Sequence, residues 1–361
     1  MDSFKNLYYD LLSNYNEVVV NLSYVTRKTL QSKYFSPGIC NGGEFKNLEI
    51  NAIDVRSNNN KLTKPNSVCF PNGYNSNPDI VITCSHPINA LLISTILMFD
   101  DIHNHINLPT YGTICKQGIF IGYEHKLTGM LTPSKFAGLV PDDMILMESN
   151  ATQSYTTVTD KFILNFIEQV TDVLALLGYY YDVVHGNLTH ECITFDGLNV
   201  IIGAWDYASL SYVNEQGSLI RIRGDPEGIT PKLLGEYVPK EVLGPRFKLE
   251  PEFLWDQRFR KLQLPYYRSF DYYTLILSCL SIEYFFVKVM NNYLLKSIIF
   301  DPLFAPEQAS NVYIELYTAV KRGIPLQFNQ ITYMLKRYTL TCDALDVTRD
   351  RLTKLKQIIL L

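Results

Sequence analysis

The strongest constraint on the fold is a long amphipathic pattern that begins before the middle of the chain. From Thr156 the sequence changes character, and in the run TVTDKFILNFIEQVTDVLALLGY (157–179) apolar residues recur at spacings of three and four. This spacing gathers apolar side chains on one face of a helix. The stripe consists of Phe162, Ile163, Phe166, Val170, Val173 and Leu174. The segment therefore predicts a long helix with one face packed against a core.

The first third of the chain has a different pattern, made of short apolar runs between clusters of Gly, Asn and Pro. The runs are NLEINAIDV, DIVIT, GIFIGYEHKL and DDMILMES, and the clusters include SPGICNGG and PNGYNSNP. Such alternation is typical of short strands joined by turns. One helix is predicted among them, INALLISTILMF, with His86 and Pro87 at its start.

Further helices are predicted in the second half. They are expected in SFDYYTLILSCLSIEYFFVKVM, around Val312 to Lys321, and from Val347 to the end. We therefore expect an α+β protein with a strand-rich part followed by a helical part, joined near Glu148 to Thr152. The last helix carries Leu352, Leu355, Ile358 and Ile359 on one face, which fits either core packing or docking of a partner.

Composition narrows the class of protein. The 361 residues are 47% hydrophobic, which is enough for a sizeable core. The net charge of −4 predicts no binding to nucleic acid through a basic field. The seven cysteines are odd in number and form no CxxC pair, which indicates reduced intracellular thiols without disulfides or a zinc site.

The sequence also predicts a cytoplasmic location and no membrane span. The start, MDSFKNLYYD, lacks the apolar stretch of a signal peptide. The most apolar stretch, from Tyr273 to Phe286, is short and is interrupted by Ser278, Ser281 and Glu283.

Four segments in the second half, taken together, resemble the protein-kinase family. VVHGNLTHECITF (183–195) follows the long helix and resembles a kinase catalytic loop, with His185, Leu188 and Ile193 at matching positions. VIIGAWDYA resembles the strand that ends in the metal-binding DFG motif, with Trp205 at the aromatic position. YVPKEVLG resembles the end of an activation segment, and SFDYYTLI resembles the start of a large buried helix. The resemblance covers about Thr156 to Leu280.

The resemblance implies a bilobal kinase-like fold with a strand-rich N-lobe (36–150) and a helical C-lobe (151–361). Residues 1–35 would then be an N-terminal extension or arm. It also implies a structural hub in which Asp271 hydrogen-bonds the backbone of the catalytic loop. The hub positions are His185, Leu188, Ile193, Trp205, Glu241 and Asp271.

The residues that would perform kinase chemistry are replaced. Asn187 stands where the family has its catalytic base, and an amide has no useful basicity near neutral pH. Cys192 and Ala204 stand at the two metal-ligand positions, although magnesium prefers oxygen ligands. Asp54 stands at the position of the phosphate-binding Lys, unless another alignment brings Lys46, Lys61 or Lys64 there.

The interpretation from sequence is therefore a pseudokinase that binds no cofactor and acts as a scaffold, structural or regulatory protein through protein partners. One alternative is an active Ser/Thr kinase whose metal ligands have moved to Asp206 and Glu191. Another is a switch that binds ATP without catalysis. The abundance of Asn, Ile, Tyr and Phe is typical of AT-rich genomes such as those of many large viruses. A viral factory or a virion is accordingly a further expected location, with viral proteins as partners. The oligomeric state is left open.

Overall fold

The structure is a computed structural model in which two compact units are distinguished. It describes residues 2–13, 40–41, 44–45, 52–53, 69–72, 80–84, 86–99, 101–115, 118–125, 158–213, 215–217, 219–224, 257–324, 326–327, 330–331, 334, 338, 341 and 343–359. Unit 1 comprises Met1–Thr128, Tyr179–His185 and Ile201–Gly228. Unit 2 comprises Gly129–Gly178, Gly186–Val200 and Ile229–Leu361.

Unit 1 contains two helices, α1 (Asp2–Ser13) and α2 (His86–Leu97), among its described residues. Residues 89–97 of α2 are all buried. The sequence explains this, because INALLISTILMF is apolar all round rather than on one stripe, as expected of a helix inside a core.

Small sheets make up much of the rest of unit 1. The strands β1 (Cys40–Asn41) and β2 (Glu44–Phe45) pair with each other. A three-stranded antiparallel sheet has the order β3 (Ala52–Ile53), β7 (Gly118–Tyr123), β6 (Pro109–Cys115).

A four-stranded mixed sheet also lies in unit 1. Its order is β10 (Ser209–Val213), β11 (Leu219–Gly224), β5 (Ile80–Cys84), β4 (Cys69–Asn72). Within it, β11 and β5 run parallel and the other pairs are antiparallel. Because β5 and β11 are far apart along the chain, no local pattern specifies their pairing.

A hairpin of β8 (Ile193–Asp196) and β9 (Asn199–Ile202) precedes β10 in the chain. The turn between them contains Gly197, whose φ of +57° lies in the left-handed region that glycine adopts without steric cost.

Unit 2 is built mainly from helices. They are α3 (Val158–Tyr180, whose last two residues belong to unit 1), α4 (Gln257–Leu280), α5 (Glu283–Asn291), the short α6 (Tyr293–Leu295), α7 (Pro306–Lys321) and α8 (Ala344–Ile359). The predicted apolar stripe of α3 is buried at all six positions. Its partners include Phe195, whose ring centroid lies 5.4 Å from that of Phe162 and 5.9 Å from that of Phe166.

The segment SFDYYTLILSCLSIEYFFVKVM, expected to be helical, forms two helices rather than one. The residues between α4 and α5 are Ser281 and Ile282, and the two helices are bent by 104°. The Ser281 hydroxyl donates to the carbonyl of Ser278 at 2.5 Å, and the Ile282 N–H donates to the carbonyl of Cys279. Serine hydroxyls compete in this way with helical hydrogen bonds, and here they accompany the end of α4.

Helix α8 is fastened to a π-helical segment, Lys296–Phe300. A π-helix leaves carbonyls without their usual α-helical donors. Arg351 donates to the carbonyl of Ser297, and the Thr348 hydroxyl donates to that of Ile298 at 3.3 Å. Leu352 is buried, so this part of α8 packs into unit 2; Ile358 and Ile359 belong to residues whose side chains are not described.

Residues 160–180 of α3 are long and apolar enough to cross a membrane, as are α4 and α5 if their bent pair is counted as one span. Half of the α3 stretch is buried within the protein. Its acidic residues also have partners in unit 2: Asp160 accepts from Asn292, Asp172 from Arg349 and Glu168 from Lys356. Helix α3 thus has both buried apolar and polar partners within unit 2.

The α+β class expected from the sequence is confirmed, with more helix than strand. The helices α2, α3, α7 and α8 and the strands β5, β7 and β9 lie where the sequence predicts them. The predicted strand DDMILMES, the joint near residues 148–152 and the segment YVPKEVLG lie outside the described residues.

Candidate functional site

The chain passes from unit 1 to unit 2 between His185 and Gly186, so the predicted site is described in two parts. The part in unit 2 is the loop of residues 186–192, called the 186–192 loop below. It begins at Gly186, whose φ is +76°, and ends in a 3₁₀ turn, His190–Cys192, before β8.

Three polar side chains of α4 hold the backbone of this loop. Asp271 Oδ1 accepts from the N–H of Gly186 at 2.9 Å, which is the contact with the loop backbone that the kinase resemblance implies. The Thr274 hydroxyl donates to the carbonyl of Leu188 at 2.9 Å. Ser278 Oγ accepts from the N–H of His190 at 2.8 Å. We call Asp271, Thr274 and Ser278 the polar ladder.

The geometry of the polar ladder follows from two periodicities. Its members are spaced at i, i+3 and i+7, so they lie along one face of α4. The loop groups that they bind belong to every second residue, namely Gly186, Leu188 and His190. All three side chains are buried, with exposures of 3%, 0% and 1%. Since buried backbone groups without partners are costly, the ladder fixes the path of the loop.

Cys192 makes two hydrogen bonds to the backbone of its own loop. Its thiol donates to the carbonyl of Asn187 at 3.3 Å, and its N–H donates to the carbonyl of Thr189 at 3.0 Å. The side chain of Cys192 is buried, whereas Asn187 is half-buried. At the position that the kinase resemblance predicts for a metal ligand, this chain thus has a thiol that bonds its own loop.

His190 is the titratable side chain of the loop with a shifted pKa. Burial lowers its pKa below the usual value, while the negative charge of Glu191 and an interaction of the imidazole with the backbone of Ser278 oppose this shift. Its Nδ1 atom is buried and lacks a hydrogen-bond partner within the described part of the chain. The environment therefore favours the neutral imidazole.

The part of the site in unit 1 is centred on His185 and Trp205. His185 Nε2 donates to the carbonyl of Gly203 at 2.8 Å, and its ring lies 4.8 Å from that of Trp205, centroid to centroid. Both side chains are buried. His185 thus hydrogen-bonds the backbone between the end of β9 and Trp205.

The turn of residues 204–208, called the 204–208 turn below, is held by α2. The Asn89 Nδ2 group lies 3.0 Å from the carbonyl oxygen of Trp205, 3.0 Å from that of Asp206 and 2.9 Å from that of Ala208. Asn89 is fully buried. One amide group, with two N–H donors, is therefore shared among three carbonyls of the turn.

Ala204, at the predicted metal-ligand position, has a left-handed backbone with φ of 65° and ψ of 46°. This conformation is costly for alanine and more readily adopted by Gly, Asn or Asp. Asp206 is buried two residues further on, whereas Glu191 of unit 2 is exposed.

The remaining predicted positions divide between core residues and residues that are not described. Leu188 and Ile193 are fully buried. Asp54 and Glu241 lie outside the described residues, as do Lys46, Lys61 and Lys64. Across the described ranges, no three His, Cys, Asp or Glu side chains are grouped so that they could hold a metal ion.

The sequence patterns assign Asn89, Thr274 and Ser278 no role in the site, although these side chains supply most of its hydrogen bonds. The sequence signal for such residues is a polar side chain within an apolar helix. Asn89 interrupts the apolar run of α2, and Thr274 and Ser278 interrupt that of α4; all three are buried. Buried polar residues of this kind usually have specific partners.

Comparisons with protein-family models, with curated proteins and with solved structures found no match to this chain.

Proposed function

We propose that the chain is a kinase-like protein that lacks phosphotransferase activity and works as a scaffold, structural or regulatory module that binds other proteins. A bilobal architecture with a strand-rich N-lobe and a helical C-lobe is part of this proposal. The observation that carries it is the polar ladder, which holds the 186–192 loop in place although the loop has no catalytic base or metal ligand at the expected positions.

The chemistry of the three key positions supports the absence of phosphoryl transfer. That reaction requires a group that accepts the proton of the attacking hydroxyl and oxygen ligands for the metal ion. Asn187 offers an amide, Ala204 a methyl group, and Cys192 a thiol that already bonds the carbonyl of Asn187. Asp206 and Glu191 are the carboxylates next to these positions in the sequence, and they define the competing hypothesis of an active enzyme.

The buried hydrogen bonds around these positions support a function that depends on a fixed arrangement of the backbone. Buried polar contacts specify one arrangement of the backbone, because any other arrangement leaves polar groups without partners. The ladder in unit 2 and the Asn89 amide in unit 1 do this for the 186–192 loop and for the 204–208 turn. A fixed surface without chemistry suits a protein that binds other proteins.

The first test is a phosphotransfer assay on the full chain with radiolabelled ATP, magnesium or manganese, and a generic protein substrate. We expect no incorporation above that of a buffer control. Incorporation that decreases in Asp206→Asn or Glu191→Gln would show an active kinase with relocated ligands. Circular dichroism of each variant separates loss of activity from loss of folding.

A thermal-shift titration with ATP and metal distinguishes the third possibility. A real site at a hundredfold excess over Kd stabilises the folded state by about 2.7 kcal/mol, which corresponds to a shift of Tm on the order of 4–8 °C. We expect no such shift. A shift without turnover would instead indicate a nucleotide-binding switch.

The alignment itself is tested by restoring the family's residues. A triple variant, Asn187→Asp, Cys192→Asn and Ala204→Asp, places oxygen ligands at all three positions. Ala204→Asp suits the backbone, because Asp adopts the left-handed region more readily than Ala. If the positions are assigned correctly, we expect a metal-dependent ATP shift in this variant. The matched control, with Ser at all three positions, should show none.

A further inference from the structure

Helix α1 packs against α2 in unit 1 through an apolar face. Phe4 and Leu7, three residues apart, are 2% and 0% exposed. The Tyr8 ring stacks on that of Phe99, just beyond the end of α2, with centroids 4.0 Å apart and an interplanar angle of 27°. Lys5 and Asn6, on the other face, are exposed. A 12-residue helix is marginal by itself in water, so its helical state depends on this docking.

The C-terminal end of α1 is bound by a second element of unit 1, the turn between β10 and β11. The N–H of Glu215 donates to the carbonyl of Leu12 at 3.3 Å, and the Gln216 side-chain amide donates to that of Ser13 at 2.9 Å. The last carbonyls of a helix lack donors within the helix. The β10–β11 turn therefore caps α1.

These contacts connect α1 to the 204–208 turn by two routes. On one route α1 packs on α2, and Asn89 of α2 bonds the carbonyls of the turn. On the other, α1 is capped by the β10–β11 turn, and β10 starts at Ser209, directly after the 204–208 turn. Helix α1 thus contacts two of the elements that hold the turn; a third is the segment of Val184 and His185, which bonds Ser209 and Gly203.

We propose that α1 is a separable strap that docks in cis on α2 and the β10–β11 turn and thereby controls the order of the 204–208 turn. When α1 is docked, α2 and β10 are fixed and the carbonyls of the turn keep the Asn89 amide. When α1 leaves, the turn loses that support and opens more often, while the rest of the unit stays folded. The inference does not depend on whether the chain is kinase-like.

The test is hydrogen exchange, followed by mass spectrometry, on the full chain carrying Phe4→Asp and Leu7→Asp, which should undock α1. We expect exchange at residues 205–209 to accelerate on the order of tenfold or more. Amides of β6 and β7 in unit 1, and of α3 in unit 2, should keep their protection. The matched control is Lys5→Asn with Asn6→Asp, which changes the net charge by the same amount on the exposed face and should leave exchange unchanged.

A synthetic peptide, MDSFKNLYYDLLS, added to the undocked variant tests separability. We expect it to restore slow exchange at residues 205–209, whereas the peptide with Asp at positions 4 and 7 should not. Unchanged exchange in the undocked variant would overturn the proposal. Loss of protection in β6 and β7 that the peptide does not reverse would overturn it too, because α1 would then be an integral part of the core. The milder Tyr8→Ala, which removes only the stacking on Phe99, should give an intermediate acceleration, and no acceleration there would count against the proposed route through α2.

Discussion

Thr274→Val is the most direct test of the polar ladder. The Thr274 hydroxyl has one proton, which lies between the carbonyl of Leu188 at 2.9 Å and that of Asp271 at 3.1 Å. Valine has nearly the same shape and a similar helix propensity, so the substitution removes the hydrogen bond and leaves no large cavity. The carbonyl of Asp271 belongs to helix α4 itself. The carbonyl of Leu188 belongs to the loop, and the substitution removes the donor that it has in the polar ladder.

The expected loss of stability follows from that carbonyl. A buried carbonyl without a donor costs about 1–3 kcal/mol, and the site is fully buried, so we expect a decrease of about 1–2 kcal/mol. The matched control is Thr353→Val. The hydroxyl of Thr353 also bonds a carbonyl of its own helix, that of Arg349 at 2.9 Å, but it is exposed. Its substitution should change stability by less than about 0.5 kcal/mol.

Two measurements read out the effect. Urea unfolding gives the change in free energy, and hydrogen exchange of residues 187–192 gives the change in local opening. A loss of 1.4 kcal/mol corresponds to about tenfold faster exchange. The local measurement is the more direct one, since a chain of two units need not unfold in a single step. If Thr274→Val and Thr353→Val gave the same stability and the same exchange in the loop, the idea that the ladder fixes the loop would be refuted.

Three other predictions concern Asn89, Ala204 and His190. Asn89→Ala should lower the free energy of unfolding by about 2–4 kcal/mol, because the carbonyls of the 204–208 turn lose a common donor. The control Asn311→Ala, at an exposed helical position, should be neutral or slightly stabilising. Equal effects of the two substitutions in urea unfolding would contradict this prediction. Ala204→Gly should raise the free energy of unfolding by about 0.5–1 kcal/mol. Glycine removes the strain of the left-handed backbone, and this gain exceeds the cost of the added freedom of the unfolded chain. A decrease in the free energy of unfolding would show that the conformation is not strained. Burial lowers the pKa of His190, so its contribution to stability is complete above the unfolded-state pKa of about 6.5 and is lost as the pH falls from there toward the folded-state pKa. His190→Gln should remove part of the decrease in stability between about pH 7 and pH 5, and an unchanged pH profile would argue against this role.

The sequence identifies the helices well because their signals are local. The stripe of α3 and the apolar run of α2 each lie within one segment, and both helices form where these patterns predict them. The break between α4 and α5 shows the limit of such patterns. Apolar periodicity continues through Ser281, whereas the serine hydroxyl makes a hydrogen bond that periodicity does not register.

The sequence also marks several residues of the candidate site, but it does not give their partners. The resemblance to the kinase family marks Asp271 as a residue that bonds the loop backbone. Its partner, Gly186, lies 85 positions away in the chain. Asn89 and the carbonyl of Ala208 are 119 positions apart, and neither residue has a pattern that points to the other. Such pairs form because a buried amide or hydroxyl must find whichever backbone group the packing brings near.

The sequence by itself therefore determined the α+β class, the main helices and the residue types at Asn187, Cys192 and Ala204, because these depend on local pattern or on residue type. Only the tertiary structure decided the parallel pairing of β11 with β5, the docking of α1 on α2, and the ladder that holds the 186–192 loop. The physical reason is that strand pairing and buried hydrogen bonds join groups far apart in the chain. Their choice depends on the whole packed unit rather than on either segment alone.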